Sequence, residues 1–159
     1  MNNLTVEVLQ SLHGELNDQD VKTDVELAFG LPHIIGHKVQ LQEVILNLVH
    51  NAIDAMASVK VNHRVLRVRT KSDGDKAVIV EVEDSGHGIE PQRLGGIFEP
   101  FVTTKPKGSG LGLAICSRII ERHGGQLTAS SDGKNGALFK IVLPVVTAPL
   151  PLAPVGLQC

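Results

Sequence analysis

The chain has 159 residues, is 42% hydrophobic and 20% charged, and carries a formal net charge of −2. That suits one domain with a single core, offers no basic excess for nucleic acid, and holds no apolar run long enough to span a bilayer. Four Phe without Trp or Tyr leave little to stack on several nucleobases, and two cysteines with no secretion signal make a reducing cytosol the expected compartment.

Residues 4–17 read as a first helix, with Leu9, Leu12 and Leu16 along one side and His13 packed or half-exposed beside them. Residues 21–29 alternate strictly. Val21, Thr23, Val25, Leu27 and Phe29 are expected inward, and Lys22, Asp24 and Glu26 outward, as in a half-buried strand. Gly30-Leu31-Pro32 is a turn. Residues 41–56, LQEVILNLVHNAIDAM, form the central amphipathic helix. Leu41, Val44, Ile45, Leu48, Ala52, Ala55 and Met56 make its apolar arc, and Glu43, Asn47, Asn51 and Asp54 run along the border. That polar stripe fits the wet side of a surface helix. It equally fits a site, because an amide oxygen can ligate a hard cation such as Mg²⁺.

Two alternating strands follow at 65–70 and 77–84, joined by the turn Ser72-Asp73-Gly74-Asp75. Residues 85–110 are a long Gly- and Pro-rich connection, a length that is usually functional or disordered. A third helix spans 110–123 and is closed by Gly124-Gly125 as a C-cap. Strands at 126–131 and 137–143 flank a turn at 132–136. Five strands with one wet face and three helices covering the other make a two-layer α/β sandwich on a mixed five-stranded sheet. The domain is expected to span 1–144. The uncharged, Pro-rich stretch 145–159 is expected to be a flexible tail or linker.

Two glycine clusters stand out. Strand 77–84 ends in Asp84, followed by Gly86 and Gly88 at alternate positions. Glycine permits positive φ and close backbone approach, and a carboxylate there can accept a hydrogen bond from an exocyclic amine. The same pattern also suits a simple turn. Further on, Gly108-Ser109-Gly110-Leu111-Gly112-Leu113 opens the third helix, where free N–H groups and the helix dipole favour phosphate. No Gly-Lys-Ser/Thr follows, so this is not a Walker loop. Between the clusters, Phe98 and Phe101 supply two aromatics that suit either a loop clamp or the core. Thr103-Thr104-Lys105 offers hydroxyls and a cation for phosphate.

In order, these are Asn-x₃-Asn on a helix, Asp-x-Gly-x-Gly, Phe-x-x-Phe, and Gly-x-Gly-x-Gly into a helix. Together they resemble the N, G1, F and G2 boxes of the sensor histidine kinase catalytic domain, of the GHKL ATP-binding superfamily with its Bergerat fold. The resemblance runs from residue 4 to 144. NLVHNAIDAM and FEPFVTTKPKGSGLGLAI look most like the nitrogen-regulation and oxygen-sensing branch, with its short lid.

The resemblance implies ATP and Mg²⁺ as cofactors. It implies that Asn51 ligates Mg²⁺, with Asn47 beside it holding phosphate or metal-bound water. Asp84 would bind the adenine amine, and Gly86, Gly88 and Ile89 would lie against the base. Residues 90–107 would be the ATP lid, with Lys105 reaching the γ-phosphate and Phe98, Thr103 and Thr104 also nucleotide-binding. Gly108, Ser109, Gly110, Leu111, Gly112 and Leu113 would cradle the phosphates. Asn47 and Lys105 are the expected catalytic residues. Related ATPases carry a water-activating glutamate at the position of Asn47. An amide cannot act as a base, which favours transfer to a side chain over hydrolysis. Asp54, also counted with the nucleotide-binding residues, stands where many sensor kinases have Lys. His87 replaces a frequent proline and is expected to face solvent.

A histidine kinase needs an acceptor histidine on a dimerisation helix. His13 lies within the catalytic pattern and is rejected for that role. The chain is therefore expected to be the catalytic piece of a longer kinase, one that upstream segments could anchor to a membrane. Its partners would be that kinase's dimerisation and phosphoacceptor domain and, indirectly, a response regulator, with no nucleic acid and no direct membrane contact. The isolated domain would be a monomer and the whole kinase a homodimer. Two alternatives stay open: an anti-sigma-factor-type serine kinase of the same superfamily, and a non-catalytic nucleotide-gated docking module.

Overall fold

The structure is a computed structural model that describes residues 1–103 and 108–146. In chain order the elements are α1 (Asn2–Ser11), α2 (His13–Asp18), β1 (Lys22–Leu27), α3 (Lys38–Met56), β2 (Val65–Asp73), β3 (Ala77–Asp84), α4 (Pro91–Leu94), α5 (Gly112–Arg122), β4 (Gln126–Ser130) and β5 (Ala137–Pro144). The five strands form one mixed sheet in the order β1-β2-β3-β5-β4. Only the edge pair β1 and β2 is parallel, and the other three pairs are antiparallel. The expected two-layer sandwich is therefore present, with α1, α3 and α5 as its helical layer.

The period of each element decides its buried face. In α3, Val44, Ile45, Leu48, Val49 and Met56 are fully buried, against Leu66, Val68, Val80 and Val82 of the sheet. Alternate residues of β2 and β3 face the other way and pair across strands. Arg69 Nη2 donates to Glu83 at 2.8 Å and Lys71 Nζ to Glu81 at 2.8 Å, while Arg67 bridges Asp24 at 3.2 Å. The exposed Arg67–Asp24 pair contributes at most about 1 kcal/mol, while Glu81 is itself buried, and a one-residue slip would drive these charges into the core.

Three expectations change. The first helix is broken at Leu12, whose φ of −97° and ψ of 2° leave the helical region. The buried stripe is Leu4, Val8, Leu12 and Leu16, whereas Leu9 is only part-buried, and His13 is exposed and bonded to Asn17. The strand expected at 21–29 is shorter and mostly wet. Val25 is 43% exposed on β1, an edge strand that pairs with β2 alone, and Phe29 is wholly exposed because the strand ends before it, at Leu27. The connection after β3 is not wholly irregular, since it contains α4. β5 ends at Pro144, and Val145, in the stretch expected as the tail, donates its N–H to Lys76 O. Residues 147–159, most of the expected tail, lie outside the described residues.

Candidate nucleotide-binding site

β3 delivers Asp84 to the end of the sheet, 5% exposed. Burial pushes its carboxyl up from the ordinary 3.8 to about 6, and the backbone N–H groups of Gly86 and Ala137 and the nearby His87 hold it back. The Gly86 N–H donates to Asp84 Oδ1 at 2.8 Å. Gly86 is there for close packing: a Cβ would sit 2.7 Å from both Cβ and O of Ala55, at the end of α3. The chain then turns through Gly88, at φ +79°, where a side chain would strike Lys134 N and Ser131 Oγ. Both glycines thus meet protein atoms, and Gly88 also lines the cavity described next.

A cavity of about 730 Å³ opens beside Asp84. From the border of α3 come Asn51 and Asp54, from the turn after β3 Gly88 and Ile89, and from the far side Thr103. Gly108, Ser109, Gly110, Gly112 and Leu113 close it at the start of α5. That helix start has no side-chain cap hydrogen bond, and Ser109 Oγ lies 3.4 Å from Leu111 N. The first N–H groups of a helix lack intrahelical partners and carry the positive end of its dipole. Gly110 takes φ +69° and packs on the backbone of Phe101, whose N–H donates to Gly110 O at 2.9 Å.

Four of the expected residues stand behind the cavity wall and do not line it. Asn47 is part-buried under the start of α5, with its Oδ1 3.6 Å from where a Cβ on Gly112 would be. Gly86 packs on α3, Leu111 is the N-cap of α5, and Phe98 packs against the core. Phe101, by contrast, is 77% exposed at φ +68°. His87 is exposed, as expected, and still edges the cavity, with Nδ1 donating to Gly88 O at 2.7 Å. Thr104 and Lys105 lie outside the described residues.

Ser58 and Arg93 also line the cavity, Arg93 within the stretch 90–107 expected as the lid though not singled out there, and Ser131 braces the cavity from behind. Arg93 is the one permanently cationic side chain among the described lining residues, and it has no ion-pair partner among the described residues. A four-residue helix shows no readable period, so no sequence signal aimed Arg93 inward. The cavity matches the roughly 300–1,000 Å³ of small-molecule sites. Its donor set suits a purine with an exocyclic amine at Asp84 and phosphates at the α5 start.

Residues 36–147 match the family described as histidine kinase-, DNA gyrase B-, and HSP90-like ATPase. The chain belongs to this family. Within it, the chain is the catalytic, ATP-binding domain of a sensor histidine kinase. The domain is 34% identical over 146 residues to the sensor protein TdiS of Thauera aromatica, covering 91% of this chain and 27% of that protein. To FixL of Bradyrhizobium diazoefficiens it is 38% identical over 127 residues, covering 80% and 25%. To the sensor histidine kinase ZraS of Salmonella typhimurium it is 40% identical over 136 residues, covering 82% and 28%. The histidine kinase domain thus spans about a quarter of the length of these relatives. It superposes on the catalytic domain of histidine kinase ThkA with a TM-score of 0.79 at 30% identity, covering 91% of each chain. On full-length ShkA in complex with AMPPNP the TM-score is 0.80 at 27% identity, covering 94% of this chain and 31% of that one. No helix among the described residues is long and apolar enough to cross a membrane.

Proposed function

We propose that this domain transfers the γ-phosphoryl group of ATP to a histidine on a separate dimerisation and phosphoacceptor domain of the same kinase. The observation that carries the reading is one cavity shared by a buried carboxylate, an amide-bearing helix edge and an uncapped helix start. Asp84 accepts the adenine amine. Asn51 offers an oxygen to Mg²⁺, and Asp54 adds a carboxylate on the same helix edge. Among the described residues no group of three His, Cys, Asp or Glu side chains stands ready to hold a metal. Mg²⁺ bound at Asn51 would take its remaining ligands from waters and phosphate oxygens. The ion supplies charge neutralisation for the transferred group. The first N–H groups of α5 hold the phosphates, and positioning with charge neutralisation does most of the work in phosphoryl transfer.

Asn47 has no lone pair basic enough to take a proton from water. An acceptor imidazole brings its own nucleophilic lone pair, so transfer needs no base at that position. ThkA has been solved in complex with the response regulator TrrA. By analogy, the histidine phosphate made here passes to a response regulator. The ATP pool places the domain in the cytoplasm, and as an isolated piece it is a monomer.

The test is γ-labelled ATP with the domain and its acceptor domain supplied in trans. The expected label on the acceptor is acid-labile and base-stable, and is abolished by Asn51→Ala. An acid-stable label would mean serine transfer. Tight ATP binding without transfer to any acceptor would leave a docking module. Substantial phosphate release without an acceptor would overturn the role given to Asn47.

A further inference from the structure

The end of the cavity around Asp84 hangs on one hydroxyl. Ser131 Oγ accepts N–H bonds from Ile89 at 2.9 Å and Gly133 at 3.1 Å, and donates to Gly136 O at 2.6 Å. One donated and two accepted bonds use the full capacity of a hydroxyl. They tie together the turn after β3, the turn between β4 and β5, and the entry to β5. All three segments bear on Asp84. Ile89 lines the cavity with it. Gly136, at φ +95°, packs so tightly on the Asp84 backbone carbonyl that no side chain fits. The next residue, Ala137, lines the cavity and is the cross-strand partner of Asp84 in β5. Gly88 is wedged as well, since a Cβ there would lie 2.9 Å from Ser131 Oγ. Ser131 itself does not line the cavity.

We propose that Ser131 is a positioning residue for base recognition, holding the wall formed by Gly88 and Ile89 at a set spacing from Asp84. A carboxylate at that spacing accepts the adenine amine and repels the carbonyl that guanine carries at the same ring position. If the wall slackens, guanine can shift and present its own amine. Ser131 therefore sets the preference for ATP over GTP. This rests on the nucleotide reading above.

The experiment measures ATP and GTP binding and thermal stability of the full chain with Ser131→Ala, Ser131→Thr and Ser131→Cys. Removing a partner from two N–H groups and a carbonyl is expected to weaken ATP binding about tenfold. The ATP:GTP preference should fall by a similar factor, and Ser131→Thr, which keeps the hydroxyl, should restore it. If Ser131→Ala does not fold, Ser131→Cys carries the test, with longer and weaker bonds and a preference between wild type and none. A lowered Tm with an unchanged ATP:GTP ratio overturns the positioning role and leaves Ser131 structural. Equal wild-type affinity for the two nucleotides also overturns it. Wild-type protein that binds neither nucleotide overturns the nucleotide reading itself.

Discussion

Asp84 sits where binding and stability oppose each other. Its carboxyl is raised from 3.8 to about 6 by burial, so the folded state binds its proton more tightly than the unfolded chain does. The stabilising contribution is fully present below about pH 4 and is lost as pH rises through about 6. A shift of this size corresponds to about 3 kcal/mol at most. Asp84→Asn keeps an oxygen for the Gly86 N–H and removes the buried charge. It is expected to stabilise the nucleotide-free protein by about 2 kcal/mol at pH 7.5, with little gain at pH 4. Denaturant melts at the two pH values check this. On the nucleotide reading proposed above, the same variant would lose a charge-assisted bond to the adenine amine and should bind ATP roughly 10–100-fold more weakly. Because the bound amine prefers the carboxylate, nucleotide binding at pH 6 should release about half a proton. Calorimetry in two buffers of different ionisation enthalpy measures it directly. Zero release at pH 6 would mean the amine is held elsewhere.

Among the elements, α5 shows how a helix end is locked to a sheet. Gly124 takes φ +70° as its N–H donates to Glu121 O at 2.9 Å, while Gly125 N–H reaches Ile120 O at 3.0 Å. These are the two bonds of a Schellman motif. Gly124→Ala is expected to cost about 1 kcal/mol through the left-handed backbone alone. Gly125→Ala should cost more, because its Cβ would press on Val142 O and lie 3.0 Å from Leu143 Cδ2. A loss of roughly 2 kcal/mol or beyond is expected, with ATP affinity per folded molecule unchanged, since neither glycine borders the cavity. Equal Tm losses for the two variants would contradict the packing account. In the sheet, Val68→Ala at a fully buried position should cost about 2 kcal/mol. Phe29→Ser, at a wholly exposed position beyond β1, should stay within about 0.5 kcal/mol of wild type.

At the scale of the molecule, the antiparallel strands β2, β3, β5 and β4 form one continuous platform, and α3 and α5 lie across it with the cavity at the end where β3 stops. The platform ends at Pro144. A chain ending at Val146 is therefore expected to keep its Tm within about 2 °C and its ATP affinity within about twofold, as thermal melts and calorimetry would show. A larger loss would mean that residues 147–159 belong to the fold. Transfer, unlike binding, needs an acceptor histidine, so the domain alone should occupy its site with ATP and turn over only when the acceptor domain is added.

Local pattern determined most of what this chain is. Helix and strand periods in α3, β2, β3, β4 and β5 were readable because each element buries one face, and burial writes its period into the sequence. The glycine clusters and Asn51 stood out in the sequence because close backbone approach and amide ligation restrict residue type, and Asn51, Gly88, Gly108, Gly110 and Gly112 do line one cavity, whereas Asn47 lies behind its wall. Tertiary structure decided the rest. β1 looked half-buried as far as Phe29, but its place at the sheet edge left Val25 wet and the strand stops before Phe29, which is wholly exposed. The first helix looked continuous, but burying both Leu12 and Leu16 went with a break at Leu12. Arg93 lines the cavity and Ser131 braces it from behind only because α4 and the turn between β4 and β5 both pack around the end of β3. A cation on a one-turn helix and a serine in a turn have no period of their own, so only the packing of remote segments gives them their place.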